Sequence, residues 1–298
     1  MNPIVKVLLF PAVIIRRLHD NYLKKNNPEK LFSIFHKRVT GKSLNLDNPQ
    51  TMNEKIAYMA FRTDTSEWSR LADKVRVREY VEECGYGDCL SKLYGVWEKA
   101  EDIDFSTLPE SFVIKTNNAS ATNILVRNKK AINEEEIRKQ LDRWLKIDYG
   151  YETCQPHYSR IKPMILAEEF LINDQTPEAS LIDYKFYCIN GEPQVIQIVK
   201  DRKPNSHFYR QAIVDASWKC CSEYCSGIHN LIDTPERPQS FEKMMEMSRV
   251  FSKPFPFVRV DFYEVNQNPV FGEMTFTPGF DVFSQASQEI IGEKIMLQ

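Results

Sequence analysis

The chain has 298 residues, of which 42% are hydrophobic and 12% aromatic, enough for a sizeable core in one large or two ordinary domains. A formal net charge of −2 gives no overall attraction to nucleic acid, so none is expected as a partner and any polyanion site must be local. Only 10 glycines occur, with neither GxGxxG nor GxxxxGK[ST], which excludes the ordinary dinucleotide and P-loop cradles.

Seven cysteines, an odd number without a secretory leader, point to a reducing compartment, with the cytoplasm as the default. Residues 1–48 read as an N-terminal helical segment. Within it VLLFPAVII (7–15) is flanked by Lys6, Arg16 and Arg17, is about half the length of a bilayer span, and is interrupted by Pro11. Residues 4–18 therefore read first as a helix docked on the protein's own core, with reversible peripheral contact with a membrane surface as the second reading.

Thr51 and Glu54 stand at capping-box spacing, which predicts a helix over 51–62. RLADKVRVREYVEECG (70–85) predicts another, with Leu71, Val75, Val81 and Cys84 as a partial stripe and Gly85 as its end. SFVIKT (111–116) and TNILVR (122–127) read as short strands around the loop NNASA. After Asn133 three glutamates suit the positive end of a helix. MILAEEFLI (164–172) reads as a buried strand, and DYKFYCI and PQVIQIV around Asn190-Gly191 as a hairpin. Residues 200–235 read as a long irregular stretch. In it Cys220, Cys221, Cys225 and His229 lack a paired CxxC knuckle and read as a loop rather than a zinc site. A helix follows near 239–252, with Phe241, Met244, Met245, Ser248 and Phe251 on one face.

FVRVDFYEV (257–265) and VFGEMT (270–275) alternate with a strand's period of two. A three-residue loop, Asn266 to Asn268, sets Val265 opposite Pro269 and Asp261 opposite Glu273, their Cβ atoms roughly 5 Å apart. Opposed like charges repel, so a positive group is expected between them, and Glu273→Gln is expected to relieve the repulsion. Such a pair could hold Mg²⁺ against phosphate oxygens, serve as the acid and nucleophile of a retaining glycosidase, or be solvated on an exposed face.

Lys115 lies inside an apolar strand, pointing the same way as Val113, ahead of the small polar loop Asn117-Asn118-Ala119-Ser120. A lysine followed by loop amides is a phosphate cradle, against the alternative of a strand-end lysine in solvent. Lys74 at a helix start serves the same chemistry or a solvated face. Glu168 and Glu169 interrupt an apolar strand and need partners, which an adenine amine would supply. Lys185 and Arg202 add positive charge, or belong to the surface.

In this order the pieces resemble the ATP-grasp superfamily and, within it, the TupA-like group named after a teichuronopeptide biosynthesis protein. ADK (72–74) is similar to the superfamily's DK element, FVIKT (112–116) to its second lysine strand, AEEFL (167–171) to its adenine hinge, and FVRVDFYEV with VFGEMTFTPG to its metal hairpin. DYKFYCINGEP (183–193) is the TupA-like pattern. The resemblance runs from about residue 49 to 279 and implies an α+β ATP-grasp fold, antiparallel sheets with flanking helices clasping ATP between two subdomains. It divides the chain into 1–48, a 49–110 subdomain with the first ATP lysine, and 111–298 with the nucleotide and metal sites. It implies ATP contacts from Lys74, Lys115, Ser120, Glu168, Glu169 and Leu171, Mg²⁺ ligands Asp261, Glu273 and Thr275, and catalytic cations Arg259, Lys185 and Arg202. The activity it implies is a carboxylate–amine ligase working through an acylphosphate, in bacterial capsule or surface polysaccharide assembly. The partners would be an amino acid or other amine and a carboxylate-bearing sugar such as a uronic acid. A glycosyltransferase using a DxD-type metal site and a non-catalytic nucleotide-binding assembly protein are the alternatives; a glycosidase would leave Lys74 and Lys115 without a role.

Overall fold

The structure is a computed structural model describing residues 3–172, 180–202, 209–227 and 230–297, without the side chains of 3–12 and 230. Two helices open the chain, α1 (Pro3–Asn26) and α2 (Pro28–Thr40). Asn27 caps α2 by accepting from the Lys30 N–H at 2.9 Å, with Pro28 at a position that needs no donor. The expected capping box starts α3 (Met52–Arg62): Glu54 N–H donates to the Thr51 hydroxyl at 3.3 Å, and Thr51 N–H to the Glu54 carboxylate at 3.0 Å.

The single helix expected over 70–85 is two, α4 (Ser66–Ala72) and α5 (Val77–Glu83). The Asp73 carboxylate accepts from the Val75 N–H at 2.9 Å, and this local bond competes with helix continuation. The break presents Lys74 on a turn. Its N–H donates to the Asn117 carbonyl at 3.2 Å, which ties the turn to the loop after the lysine strand.

Among the described residues a four-stranded antiparallel sheet runs β1-β4-β2-β3, from β1 (Leu93–Trp97), β2 (Phe112–Thr116), β3 (Asn123–Val126) and β4 (Ile165–Glu169). β1 carried no sequence signal, because Tyr94, Gly95 and Val96 are all half-buried and show no alternation. The helix α6 (Glu134–Leu145), capped by Asn133, buries Ile137 and Leu141 against Phe112 and Ile114 of this sheet. Two short helices, α7 (Tyr149–Thr153) and α8 (Pro156–Ser159), lead into β4.

A six-stranded sheet is formed by β5 (Asp183–Ile189), β6 (Glu192–Lys200), β7 (Arg210–Asp215), β8 (Asn230–Leu231), β9 (Phe257–Val265) and β10 (Asn268–Thr275), in the order β10-β9-β5-β6-β7-β8. Asn190 at φ 50° and Gly191 at φ 83° make the expected tight hairpin turn. The stretch 200–235 is less irregular than expected. β7 lies along β6 with Gln211, Ala212, Ile213 and Val214 all buried, so it lacks the alternation by which a half-exposed strand is recognised.

Along β5 and β9 the pleat sorts side chains strictly. Phe186, Val260 and Phe262 face α9 (Phe241–Ser252), whose Phe241, Met244, Met247 and Phe251 are buried in the same core. The other face carries the charged set, because Lys185 pairs in register with Asp261, and Asp261 with Glu273. The expected loop length was wrong although this pairing was right. The turn is the two residues Asn266 and Gln267, both at positive φ, so Val265 faces Asn268. A bulge at Gly272 then inserts the missing residue and restores Asp261 opposite Glu273. A Cβ on Gly272 would stand 3.0 Å from the Asp261 carbonyl oxygen, a close approach that only glycine makes without strain. The chain closes with α10 (Gln285–Lys294), packed on α3.

Candidate ATP and metal site

Four side chains from two adjacent strands meet on the polar face of the six-stranded sheet. The Arg259 guanidinium donates to Asp261 through Nε at 2.7 Å and Nη2 at 2.7 Å. The same Nη2 donates to Glu273 Oε1 at 3.0 Å and Thr275 Oγ1 at 2.9 Å. Lys185 of β5 forms an ion pair with Asp261 and lies 3.6 Å from Asp183, which also accepts from Arg202 at 3.0 Å. The positive group expected between the opposed carboxylates is thus Arg259, flanked by Lys185.

Electrostatics follow from this packing. Burial works against ionising Glu273, but Lys74, Arg259 and Lys185 outweigh it and hold the carboxyl down at about 2. Burial works against the Arg259 charge too, yet Asp261 beside it keeps the guanidinium well above its ordinary value. Asp183 is lowered in spite of burial, by Lys185 and then Arg202. Lys74 is different: burial pushes its ammonium below the usual value, with Glu273 resisting and Lys115 adding to the fall.

Lys74 lies between this cluster and a second one. Its ammonium donates to the Ala119 carbonyl at 2.7 Å. Lys115 forms an ion pair with Glu168, a diagonal contact between β2 and β4, since Lys115 lies opposite Leu166 and Glu168 opposite Val113. Asn117 is buried and fully engaged, donating to Asp73 at 2.9 Å and the Lys162 carbonyl at 3.1 Å and accepting from Met164 N–H at 2.7 Å. The N–H groups of Asn118, Ala119 and Ser120 have no acceptor among the described residues, and the buried Asn118 Oδ1 is without a partner. Loop amides beside two lysines form a positive concavity suited to phosphate oxygens.

Of the named residues, Lys74, Lys115, Glu168, Lys185, Arg259, Asp261, Glu273 and Thr275 are brought into these two linked clusters. Glu169 is not. Successive strand residues point to opposite faces, so Glu168 turns toward Lys115 while Glu169 is exposed and its N–H is taken by the Lys92 carbonyl at 2.9 Å. Leu171 is half-buried beyond the end of β4. Ser120 is exposed, though its hydroxyl is within reach of Tyr149. Arg202 stands at the rim, 49% exposed, stacked 5.5 Å from the Tyr209 ring and joined to the cluster only through Asp183. His229, of the cysteine loop, lies outside the described residues; Cys225 there accepts from Gln211 at 3.0 Å.

Sequence reasoning missed α7 and α8. Tyr149 shares hydrogen bonds with Ser120 and Gln155, Gln155 accepts from Thr277, and the Tyr149 and Tyr158 rings meet edge to face at 5.1 Å. Both tyrosines are raised by burial and then by Glu273, so this short helical pair lies over the carboxylate cluster. Two tyrosines in YGYETCQPHYSR carry no spacing signal that could have placed them there. Beneath them His157 is fully buried, packed edge-on to Trp68 at 5.6 Å and beside Tyr158 at 4.4 Å, with neither ring nitrogen partnered among the described residues. Burial pushes it down to about 3. A histidine lowered this way stabilises the fold fully above about pH 6.5 and loses that stability as pH falls toward its folded value, at up to about 1.4 kcal/mol per pH unit. His157→Phe should therefore flatten the fall in urea midpoint between about pH 7 and about pH 5, since no hydrogen bond is lost and no buried ring has to charge.

The metal question can be tested on the oxygens themselves. No group of three or more His, Cys, Asp or Glu side chains is assembled among the described residues, so a cation would have to be held by two carboxylates and other oxygens. Asp261, Glu273 and Thr275 provide that set, converging at 2.7 to 3.0 Å on one cationic nitrogen of Arg259. Hard oxygen donors gathered on a cation position fit magnesium, which favours one or two protein carboxylates plus substrate oxygens.

The fold is that of the ATP-grasp proteins. More narrowly, the family described as TupA-like ATPgrasp matches residues 54–296, and the chain belongs to that family. No curated protein matches it. Among solved structures it is similar to D-alanine–D-alanine ligase from Bacillus anthracis complexed with ATP, at 13% identity and a TM-score of 0.40, covering 77% of this chain and 59% of that one. The corresponding ligase from Helicobacter pylori gives 14% and 0.42 over 83% and 69%. The ATP-grasp ligase PsnB with its minimal precursor gives 8% and 0.40 over 76% and 59%. The chain thus spans less than two thirds of the ATP-bound Bacillus anthracis ligase structure and of PsnB.

Proposed function

We propose that the protein is an ATP- and Mg²⁺-dependent carboxylate–amine ligase. The observation that carries this reading is the convergence of Asp261, Glu273 and Thr275 on one cation position, with Lys74 linking it to the Lys115 loop. In the reaction a carboxylate oxygen of the acid attacks the γ-phosphorus of ATP, the bond to the β-γ bridging oxygen breaks, and ADP leaves. An amine then attacks the acyl carbon of the acylphosphate; the C–O bond breaks, phosphate departs with its electron pair, and the amine's proton is released. Lys74 and Lys115 offset charge on the moving phosphoryl group. Bound Mg²⁺ would supply further neutralisation of the phosphate oxygens. Arg259, held against Asp261, Glu273 and Thr275, keeps a positive charge beside the oxygens that would hold Mg²⁺. Lys185 orients Asp261 through their ion pair, and Arg202 acts through Asp183.

The proposed acceptor chemistry, an amino acid or other amine joined to a uronic acid in capsule or surface polysaccharide assembly in the cytoplasm, is supported by the family's naming after teichuronopeptide biosynthesis. The glycosyltransferase alternative has little support. The chain's Asp-x-Asp triplet is Asp102-Ile103-Asp104, and Asp104 is engaged in its own turn with the Ser106 N–H at 2.9 Å and hydroxyl at 2.6 Å. A nucleotide-binding protein without turnover is separated from a ligase by phosphate release.

Calorimetric titration of ATP, with and without Mg²⁺, tests the reading. Binding should require Mg²⁺ for full affinity and weaken about tenfold or more in Lys115→Ala, which loses a charge-assisted phosphate contact. A folded wild-type chain that binds no ATP would sink it.

A further inference from the structure

The first helix is attached to the protein along only one side and one half of its length. Leu23 is buried, Lys24 forms an ion pair with Glu152 of α7, and Asp20 accepts both guanidinium nitrogens of Arg38 at 2.8 and 2.9 Å. At 100° per residue these three positions share one side of α1. On the opposite side Ile14, Ile15, Leu18 and Tyr22 fall within about 100° of one another, the width of an apolar stripe. They are 43%, 67%, 64% and 64% exposed, and Val13 is 61% exposed. In the sequence the same spacing continues back through Pro11, Leu8, Val7 and Ile4. A face of this size is not left in water for stability, and nothing among the described residues covers it.

Charge selects the occupant. Residues 1–26 carry Lys6, Arg16, Arg17, Lys24 and Lys25 against the single acid Asp20, a local charge of +4 on a chain of net −2. Asp20 and Lys24 neutralise partners within the protein, while Arg16 and Arg17 have no ion pair among the described residues. Arg17 borders the stripe on one side and His19 on the other, while Arg16 falls on the side of Leu23 and Asp20. An apolar stripe edged by the unpaired Arg17, on a segment of local charge +4 that carries no free acid on its outer side, is the pattern of a helix lying in a bilayer interface. No helix among the described residues is long and apolar enough to cross a membrane, which leaves a surface contact. The stripe also lies outside 54–296, the part matched by the family.

We propose that α1 docks this protein on an anionic lipid surface, with Ile14, Ile15, Leu18 and Tyr22 entering the headgroup boundary, Arg17 beside them meeting lipid phosphates and Arg16 adding to the local positive charge.

The test is sedimentation of the full chain with vesicles of phosphatidylglycerol and phosphatidylcholine in equal parts, against phosphatidylcholine alone. Binding should favour the anionic vesicles and fall as salt rises. Ile15→Glu/Leu18→Glu should reduce it about tenfold or more by removing the apolar contact, and Arg16→Glu/Arg17→Glu by a similar factor by reversing charge. Both pairs are exposed, so thermal melting of the variants should match the wild type. Absence of vesicle binding, binding indifferent to lipid charge, or binding unchanged in both variants overturns the proposal. So does a concentration-dependent dimer by light scattering that Ile15→Glu/Leu18→Glu abolishes, which would assign the stripe to a second copy of the chain.

Discussion

Glu273→Gln is expected to lower Mg²⁺-dependent ATP turnover about 100-fold or more while changing the melting temperature by no more than a few degrees. The residue belongs to the oxygen set around the cation position and accepts from Arg259 at 3.0 Å and Thr275 at 3.1 Å. A neutral amide keeps the shape, loses one of two carboxylates, and presents an N–H₂ where an acceptor is needed. Its effect on folding is small because the Glu273 side chain is 40% exposed and its ion pairs are screened by solvent. The relief of carboxylate repulsion expected from the sequence does not arise, since Arg259 and Lys185 already neutralise the pair. The pH dependence has a definite sign. Because its folded value is lowered to about 2, the stability Glu273 adds is present above its unfolded value near 4.5 and is lost as pH falls toward about 2, and solvent screening of its 40% exposed side chain keeps that contribution small. The Gln variant should lack that acid component. Parallel measurements of phosphate release and of melting temperature check both halves; equal losses in the two would make Glu273 a structural residue.

Gly292→Ala should have the largest effect on stability. Helix α10 lies so close to the start of α3 that a Cβ on Gly292 would stand 2.1 Å from the Gln50 carbonyl oxygen and 2.8 Å from the Met52 nitrogen. Both are backbone atoms at a capped helix end, where Glu54 also holds the Gln50 and Thr51 N–H groups, so neither can swing aside. The two helices must part, disturbing the Asn53 N–H to Gln288 bond of 3.1 Å. Overpacking of this kind costs about 3 kcal/mol, a fall of about 5 to 10 °C in melting temperature for a chain of this size. A calorimetric melt unchanged from wild type would mean that α10 does not rest on α3 in solution.

The carboxylate hairpin shows how sequence and structure divide the work. Alternation in FVRVDFYEV places Arg259 and Asp261 on one face whatever the partner strand does, because strand side chains alternate by covalent geometry. The register that sets Glu273 against Asp261 was reached from the sequence by an incorrect loop length. In the molecule two departures cancel: a turn one residue shorter and a bulge at Gly272. Nothing in a string of residues distinguishes a bulging glycine from an ordinary one, since the bulge is selected by how closely the Asp261 backbone passes. Similarly, FVIKT announced a strand with a lysine, but its ion pair with Glu168 depends on β4 returning as the neighbour of β2.

By itself the sequence determined the ATP-grasp class, the capping-box helix, the Asn190-Gly191 hairpin, and the identity of the charged residues that gather in the site, since periodicity, caps and turn residues act over a few positions of chain. Only the tertiary structure decided that residues 70–85 break at Asp73 to present Lys74, that Glu168 and not Glu169 meets Lys115, and that Tyr149 and Tyr158 lie over the carboxylates. It also decided which side of α1 remains in solvent. These outcomes rest on contacts between segments tens to hundreds of residues apart, whose energies no local pattern encodes.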